Sequence, residues 1–160
     1  MSLFLRTAFF SIVCLLIGYV SIAQDSSFVQ WEVSSKKLNS NEYELQFKGK
    51  VKPGKFLYLF TKDAEGLDSI AVKFTDSAIV NNGSMQILQG SSSYVDPIFE
   101  NKNVLIAKQE VSLSQKIKID GTVPAQLKGT LVYATGAEEE FLPAQEFLFD
   151  VKLEGGIAQT

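Results

Sequence analysis

Apolar and polar residues alternate strictly along much of this chain, and the clearest run is residues 42–51. Tyr43, Leu45 and Phe47 fall on one face of that run, while glutamate, glutamine and lysine residues fall on the other. Successive side chains of a β-strand point to opposite faces, so this pattern predicts a strand with one face in a core and one in water. After residue 23 the chain shows almost no helical period.

Shorter runs of the same kind, separated by Gly, Pro, Asn and Ser, predict further strands. They are 28–33, 56–61, 69–74, 84–88, 103–113, 115–119, 128–135 and 146–153. Many short strands without a long helix predict a two-sheet antiparallel sandwich, with a closed barrel as the main alternative. We expect one domain over 24–154 and a frayed tail at 155–160. The alternation also predicts a buried set, namely Trp31, Tyr43, Leu45, Phe47, Leu57, Val132, Phe147 and Phe149.

The first 23 residues are typical of an export signal. Arg6 precedes an almost wholly apolar run over 8–20, and Ser21 and Ala23 put small residues where a signal peptidase reads them. The run is shorter than the roughly 20 apolar residues of a membrane span, although an uncleaved anchor is the alternative. We therefore expect cleavage after Ala23, a periplasmic or secreted product, and no membrane span in the mature chain.

The composition removes most catalytic chemistry from that mature chain. The sequence has no histidine, and its single cysteine, Cys14, lies inside the predicted leader. Without a general-base histidine or a thiol, the residues indicate no catalytic group, metal site or cofactor, and an enzyme is the least favoured class. Removing Arg6 leaves 14 basic against 18 acidic residues, a net charge of −4. That acidity gives no support for nucleic-acid binding.

The acidic and serine-rich segments indicate turns rather than sites. Residues 138–140 are three glutamates that follow Gly136 at a predicted hairpin tip, whereas calcium loops place their oxygens at alternate positions. Residues 91–93 are three serines, which predict a flexible loop. We also expect loop positions for four aspartates that share no motif, namely Asp63, Asp68, Asp76 and Asp96.

An ordered set of short motifs resembles one known family. The set consists of Val29-x-Trp31, Lys37-Leu38, Tyr43-Glu44-Leu45-x-Phe47, Gly54-x-x-Leu57-Tyr58, Tyr94-x-Asp96-Pro97-x-Phe99, the segment 129–135, Leu142-Pro143 and Phe147-x-Phe149-x-Val151. Together they resemble the N-terminal periplasmic domain of the thiol:disulfide interchange protein DsbD, and most closely its shorter Bacteroidetes-type forms. The resemblance implies an immunoglobulin-like sandwich and covers nearly all of the predicted mature chain.

The chain differs from that family at the residues that carry the family's redox chemistry. When the resemblance is aligned on 132–133 and 142–143, the two active cysteines fall on Gly136 and Phe141. Neither residue can form a thiolate, so the family's disulfide exchange is expected to be absent. The loop that shields the family's cysteines corresponds to 92–94, which keeps an aromatic residue in Tyr94. The resemblance therefore implies a stand-alone, non-redox copy with a degenerate site at Tyr94, Gly136 and Phe141.

Two classes of function follow from this. The favoured one is an exported binding module whose partner is a thioredoxin-like or cytochrome-maturation protein of the periplasm. The alternative is an unrelated exported sandwich that binds a cell-surface or carbohydrate ligand. Phe141 would be either a structural plug in the former cysteine pocket or an exposed anchor for a partner. Burial of aromatic side chains is the usual preference, which favours the plug.

Overall fold

A computed structural model describes residues 27–59 and 70–158 of the chain. The predicted export signal and parts of two predicted strands, at 60–61 and 69, lie outside these residues. Within them the chain forms strands and one short 3₁₀ turn, Pro97–Phe99. The strands are β1 (Val29–Lys37), β2 (Glu42–Val51), β3 (Phe56–Tyr58), β4 (Ala71–Lys73), β5 (Ile79–Asn81), β6 (Gln86–Gln89), β7 (Ser92–Asp96), β8 (Lys102–Ala107), β9 (Glu110–Ile119), β10 (Gln126–Ala137) and β11 (Glu140–Lys152).

The strands form two antiparallel sheets. In the first sheet the order is β1-β2-β9-β5, and β6 also pairs with β9. In the second the order is β11-β10-β3-β8-β7, and β4 also pairs with β10. Two sheets packed face to face around one core make an immunoglobulin-like β-sandwich, so the predicted fold class is confirmed.

The main core lies between the two sheets. The alternation along β2 buries Tyr43, Leu45 and Phe47, and the Phe47 ring meets Phe149 of β11 edge-on at 5.2 Å between centroids. β2 and β9 pair along nearly their whole length, which places Leu113 opposite Phe47. The period-2 pattern therefore identified this face of the core correctly.

Two members of the predicted buried set are less buried than expected, and a third is buried outside the apolar clusters. Trp31 and Phe147 are only partly buried, because they pack at the side of the core where β1 meets β11. Val132 is buried but belongs to neither apolar cluster, since Leu131 and Tyr133 take the inward-facing positions of β10. The prediction that Val132 is buried is therefore confirmed, although its side chain lies outside both apolar clusters.

The predicted strand at 103–113 is wrong, because the chain turns at residues 108–109 and crosses from the second sheet to the first. β8 ends at Ala107 and β9 begins at Glu110 and runs through the predicted 115–119 strand. Long-range contacts fix this turn: the Gln109 carbonyl accepts a hydrogen bond from the Val51 N–H at 2.8 Å. No Gly or Pro marks it in the sequence.

Two further boundaries differ from the prediction. Ser92 and Ser93 are not loop residues, because they belong to β7 and pair with β8. β11 begins at Glu140 rather than at 146. After β11, the backbone of Ile157 donates a hydrogen bond to the Val123 carbonyl and accepts one from the Ala125 N–H, both at 2.9 Å. The expected fraying therefore does not begin at residue 155.

Candidate functional site

A second apolar cluster lies on the outward face of the second sheet. Along β3, Leu57 points into the main core, whereas Phe56 and Tyr58 point to the opposite side. Ile106 of β8 and Ala134 of β10 complete the buried floor of this group. We call it the outer aromatic cluster; its partly buried members are Tyr94, Phe99, Val104 and Phe141.

β7 and the 3₁₀ turn, residues 92–99, form a cap over this cluster. Tyr94 packs its ring on Phe56 at 4.9 Å between centroids. Asp96 ends β7 and caps the turn, because its Oδ1 accepts a 2.9 Å hydrogen bond from the Ile98 N–H. Pro97 suits the first position of the turn, since its ring fixes φ there. The turn thereby carries Phe99 onto the Tyr58 ring, edge-on at 5.8 Å.

Within the cap, Asp96 is fully buried, although the sequence indicated a loop position that shares no motif with the other aspartates. Its Oδ2 accepts a 2.5 Å hydrogen bond from the Tyr58 hydroxyl. Burial, and then the hydrogen bond to Asp96, hold the pKa of Tyr58 well above its ordinary value of 10. Tyr58 therefore stays protonated into the alkaline range and keeps donating to the carboxylate. Sequence reasoning missed this pair, and its available signal was the aspartate of the Tyr94-x-Asp96-Pro97 motif.

The β10–β11 hairpin brings the two degenerate positions together. Gly136 and Phe141 are direct cross-strand partners, and Glu138 and Glu139 form the turn between the strands. The predicted hairpin tip is thus confirmed. Directly opposed residues in an antiparallel pair have Cα atoms about 4.5–5.5 Å apart, which lies within the span of about 4.4–6.8 Å that a disulfide bridges. Cysteines at these two positions would face each other, but a glycine and a phenylalanine stand there.

The space around Gly136 is occupied by Tyr58. A Cβ atom at Gly136 would lie 2.7 Å from Cε2 of Tyr58 and 2.5 Å from the Glu140 carbonyl oxygen. The absence of a side chain at Gly136 is therefore what lets the Tyr58 ring lie against the hairpin. A side chain of any size there would displace the ring that holds Asp96.

Phe141 occupies the other half of the same space. Its ring is partly buried and meets Tyr58 at 5.3 Å and Phe99 at 5.2 Å, both edge-on. Edge-to-face contacts at these distances are favourable because the positive ring edge meets the negative ring face. Phe141 thus links the hairpin to the cap, and Tyr94, Gly136 and Phe141 all border the outer aromatic cluster.

Charged residues surround the partly exposed rim of the cluster. Glu138, Glu139 and Glu140 are exposed, and none of them has an ion-pair partner in the described parts of the chain. The Lys108 Nζ lies 5.4 Å from the Phe56 ring centre and 5.5 Å from that of Tyr94. Burial, followed by the charges of Asp96 and Glu138, raises the pKa of Tyr94. The rim therefore combines aromatic rings with charges of both signs.

Two kinds of feature were not found among the described residues. Across 27–59 and 70–158, no three His, Cys, Asp or Glu side chains are grouped so that they could hold a metal ion. Over the same ranges no helix has the length and apolar character to span a bilayer. What the outer cluster can supply is an aromatic surface with a charged rim.

Comparison with solved structures finds the same fold in other proteins. The chain matches the N-terminal periplasmic domain of ScsB from Proteus mirabilis with a TM-score of 0.54 and 14% sequence identity. The match covers 80% of this chain and 47% of that one, so the chain spans about half its length. At this identity the likeness shows the fold alone: the chain has the sandwich fold of the ScsB N-terminal domain.

Two DsbD structures from Neisseria meningitidis are further neighbours. The N-terminal domain of DsbD in its complex with the N-terminal domain of PilB matches with a TM-score of 0.48 and 16% identity, covering 81% of this chain and 87% of that chain. The reduced DsbD N-terminal domain matches with a TM-score of 0.44 and 16% identity, covering 77% and 86%. No protein-family model and no curated protein matches the chain.

Proposed function

We propose that this chain is an exported, non-redox binding module, similar to a DsbD N-terminal domain, that docks a thioredoxin-like protein of the periplasm. The observation that carries the proposal is the pairing of Gly136 with Phe141 across the hairpin, beneath an aromatic cap. In the resembled family these positions bear the cysteine pair. Here a hairpin and an aromatic cap occur at these positions, and neither carries a thiol.

The absence of a thiol limits the module to binding. Disulfide exchange proceeds through attack by a thiolate on a disulfide sulfur, and the single cysteine of the sequence, Cys14, lies in the proposed leader. Phe141 and Tyr58 fill the space that a cysteine pair would need. We regard Phe141 as a structural plug that stiffens the surface from below.

The docking face consists of Tyr94, Ile98 and the hairpin tip 138–140. Tyr94 is partly exposed on the cap, and Ile98 leaves 40% of its surface in contact with water. An exposed apolar residue on the same cap as an aromatic ring resembles the composition of an interface centre. The Asp96–Tyr58 hydrogen bond holds the cap that presents these side chains.

A binding measurement tests the proposal. The probe is a purified periplasmic thioredoxin-like domain from the same organism, with both active cysteines changed to serine so that no covalent complex can form. Calorimetry should show binding to the wild-type chain, and Ile98→Glu should weaken it at least about tenfold, which corresponds to about 1.4 kcal/mol. The wild-type chain should also fail to reduce a disulfide substrate in the absence of added thiol.

The matched control is Leu148→Glu, which places the same charge at a residue 76% exposed on β11. Leu148 lies opposite Thr130 in the hairpin register, far along both strands from the tip. Binding should be unaffected by this change. Failure of the wild-type chain to bind the domain, or equal losses in both variants, would refute docking at this face.

A further inference from the structure

An Asn-Gly pair lies in the loop between β5 and β6. Asn82 and Gly83 are both exposed, and Gly83 has a φ of +85°, which glycine adopts readily because it has no Cβ. No atom lies within 4 Å of the point where a Cβ would stand at Gly83. The backbone nitrogen that follows Asn82 is therefore not screened by any side chain.

The groups of this pair are engaged to different degrees. The Asn82 side chain is tethered at its nitrogen, since Nδ2 donates a 3.0 Å hydrogen bond to Oε1 of Glu42. The Asn82 N–H donates to the Lys116 carbonyl at 2.8 Å, and the Gly83 carbonyl accepts a 3.0 Å hydrogen bond from Gln115 Nε2. Among the described residues, however, the Gly83 N–H has no hydrogen-bond partner. The Gly83 nitrogen is thus free of other contacts next to the Asn82 side chain.

We infer that Asn82 is a site of spontaneous deamidation in the folded protein. The Gly83 nitrogen forms a bond to Cγ of Asn82 while the bond from Cγ to Nδ2 breaks, and Nδ2 leaves as ammonia with the proton that the Gly83 nitrogen gives up. Water then opens the cyclic imide at Cγ to give aspartate, or at the backbone carbonyl carbon to give isoaspartate. The modification needs only water and is independent of the docking proposed above.

Asn39 offers an internal comparison, because it contacts the same carboxylate. Its Nδ2 donates a hydrogen bond to Oε2 of Glu42. The Asn39 Oδ1 also accepts hydrogen bonds from the N–H groups of Asn41 and Glu42, at 3.1 and 3.0 Å. Ser40 rather than a glycine follows it, so the next backbone nitrogen is screened by a side chain. Asn39 should therefore react more slowly than Asn82.

The products should weaken the edge of the first sheet. Either product places a carboxylate at residue 82 in place of the amide that donates to Glu42, and like charges repel each other. Isoaspartate also lengthens the backbone by a methylene between β5 and β6, which both pair with β9. The Gly83 carbonyl then shifts relative to the buried side chain of Gln115. A buried amide that loses a hydrogen-bond partner destabilises the folded state.

The test follows the purified, folded chain in mildly alkaline buffer, where loss of the Gly83 proton is favoured. Mass spectrometry of its peptides measures the conversion of Asn82 and of Asn39. We expect Asn82 to convert at least about tenfold faster, which corresponds to a barrier lower by about 1.4 kcal/mol. Isoaspartate methyltransferase should label the peptide that contains residue 82. A parallel sample in urea reports on the unfolded chain. Equal rates at the two asparagines in the folded chain, or conversion of Asn82 in the unfolded chain alone, would overturn the inference.

Gly83→Asn is the matched variant. Asparagine adopts a positive φ more readily than most residues, and the open space at Gly83 accepts its side chain, so the fold should be retained. That side chain screens the backbone nitrogen, and conversion at Asn82 should slow at least about tenfold. An unchanged rate in a folded variant would show that attack by this nitrogen is not the route.

Thermal unfolding measures the consequence for the sheet. The incubated wild-type chain, enriched in isoaspartate, should unfold at a lower temperature than the fresh chain. Asn82→Asp carries the new charge without the added methylene, so its unfolding temperature should lie between the two. Identical unfolding temperatures for the fresh and the incubated chain, after conversion has been verified, would contradict the expected weakening.

Discussion

The Tyr58 hydroxyl donates a 2.5 Å hydrogen bond to the fully buried carboxylate of Asp96. Tyr58 lies on β3 in the middle of the second sheet, and Asp96 ends the edge strand β7. The bond therefore ties the cap to the floor of the outer aromatic cluster. Because burial of a carboxylate is costly without hydrogen bonds, both partners of Asp96, the Tyr58 hydroxyl and the Ile98 N–H, are needed to keep it inside.

Removal of the Tyr58 hydroxyl should destabilise the domain. Tyr58→Phe keeps the ring contacts with Phe99 and Phe141 but leaves one oxygen of Asp96 without its donor. We expect a loss of about 1–3 kcal/mol in the free energy of unfolding, measured by urea titration with the fluorescence of Trp31, the one tryptophan of the sequence. Tyr94→Phe is the control and should change the stability little. Equal effects in the two variants would show that the buried bond has no special importance.

The same bond predicts a dependence on alkaline pH. The pKa of Tyr58 is raised in the folded chain, whereas an unfolded tyrosine ionises near its ordinary value of 10. The stabilisation is therefore fully present below about pH 10 and is lost as the pH rises above it, because the unfolded chain then releases its proton first. The stability difference between wild type and Tyr58→Phe should shrink above that pH. A difference that stays constant or grows there would contradict this assignment.

Truncation of Phe47 tests the main core. Phe47 is completely buried and contacts Phe149, so Phe47→Ala should cost about 3–5 kcal/mol of stability. Leu148→Ala serves as the control, because 76% of Leu148 is exposed and its truncation should cost almost nothing. A loss near zero for Phe47→Ala would mean that the faces of β2 are assigned the wrong way round.

Phe141→Ala distinguishes the two possible roles of Phe141, a structural plug in the hairpin and an anchor for a partner. The partly buried ring contacts Tyr58 and Phe99, so its removal should lower stability by about 2 kcal/mol, less than for a fully buried phenylalanine. If Phe141 is a plug, its removal should leave binding of the thioredoxin-like domain unchanged at a temperature where the variant is folded. Unchanged stability with lost capture would identify an anchor instead. If neither property changes, the hairpin is not the site.

The sequence predicted those parts of the fold that local pattern determines. Residues 42–51 form a strand with the predicted buried face, because alternation alone determines which side chains point inward. The hairpin at 138–139 follows from a polar run between two apolar ones. In both cases the signal lies within ten to fifteen residues.

Features that depend on distant partners could not be read in this way. The turn at 108–109 interrupts an apolar run, and its hydrogen bond comes from Val51 across the molecule. Asp96 is indistinguishable from a loop aspartate until β3 brings Tyr58 beneath it. The family resemblance pointed to Tyr94, Gly136 and Phe141. Only the structure shows why residue 136 is a glycine: the Tyr58 ring approaches it too closely for a side chain.

The most direct test of non-redox docking is a map of the surface that the partner touches. Amide chemical shifts of the ¹⁵N-labelled chain would be recorded while the cysteine-free thioredoxin-like domain is added. We expect the shift changes to concentrate at Tyr94, Ile98 and residues 138–141, with little change at the far end of the hairpin, at Lys128 and Asp150. Perturbations centred on Lys128 and Asp150, or none at a saturating concentration, would contradict it.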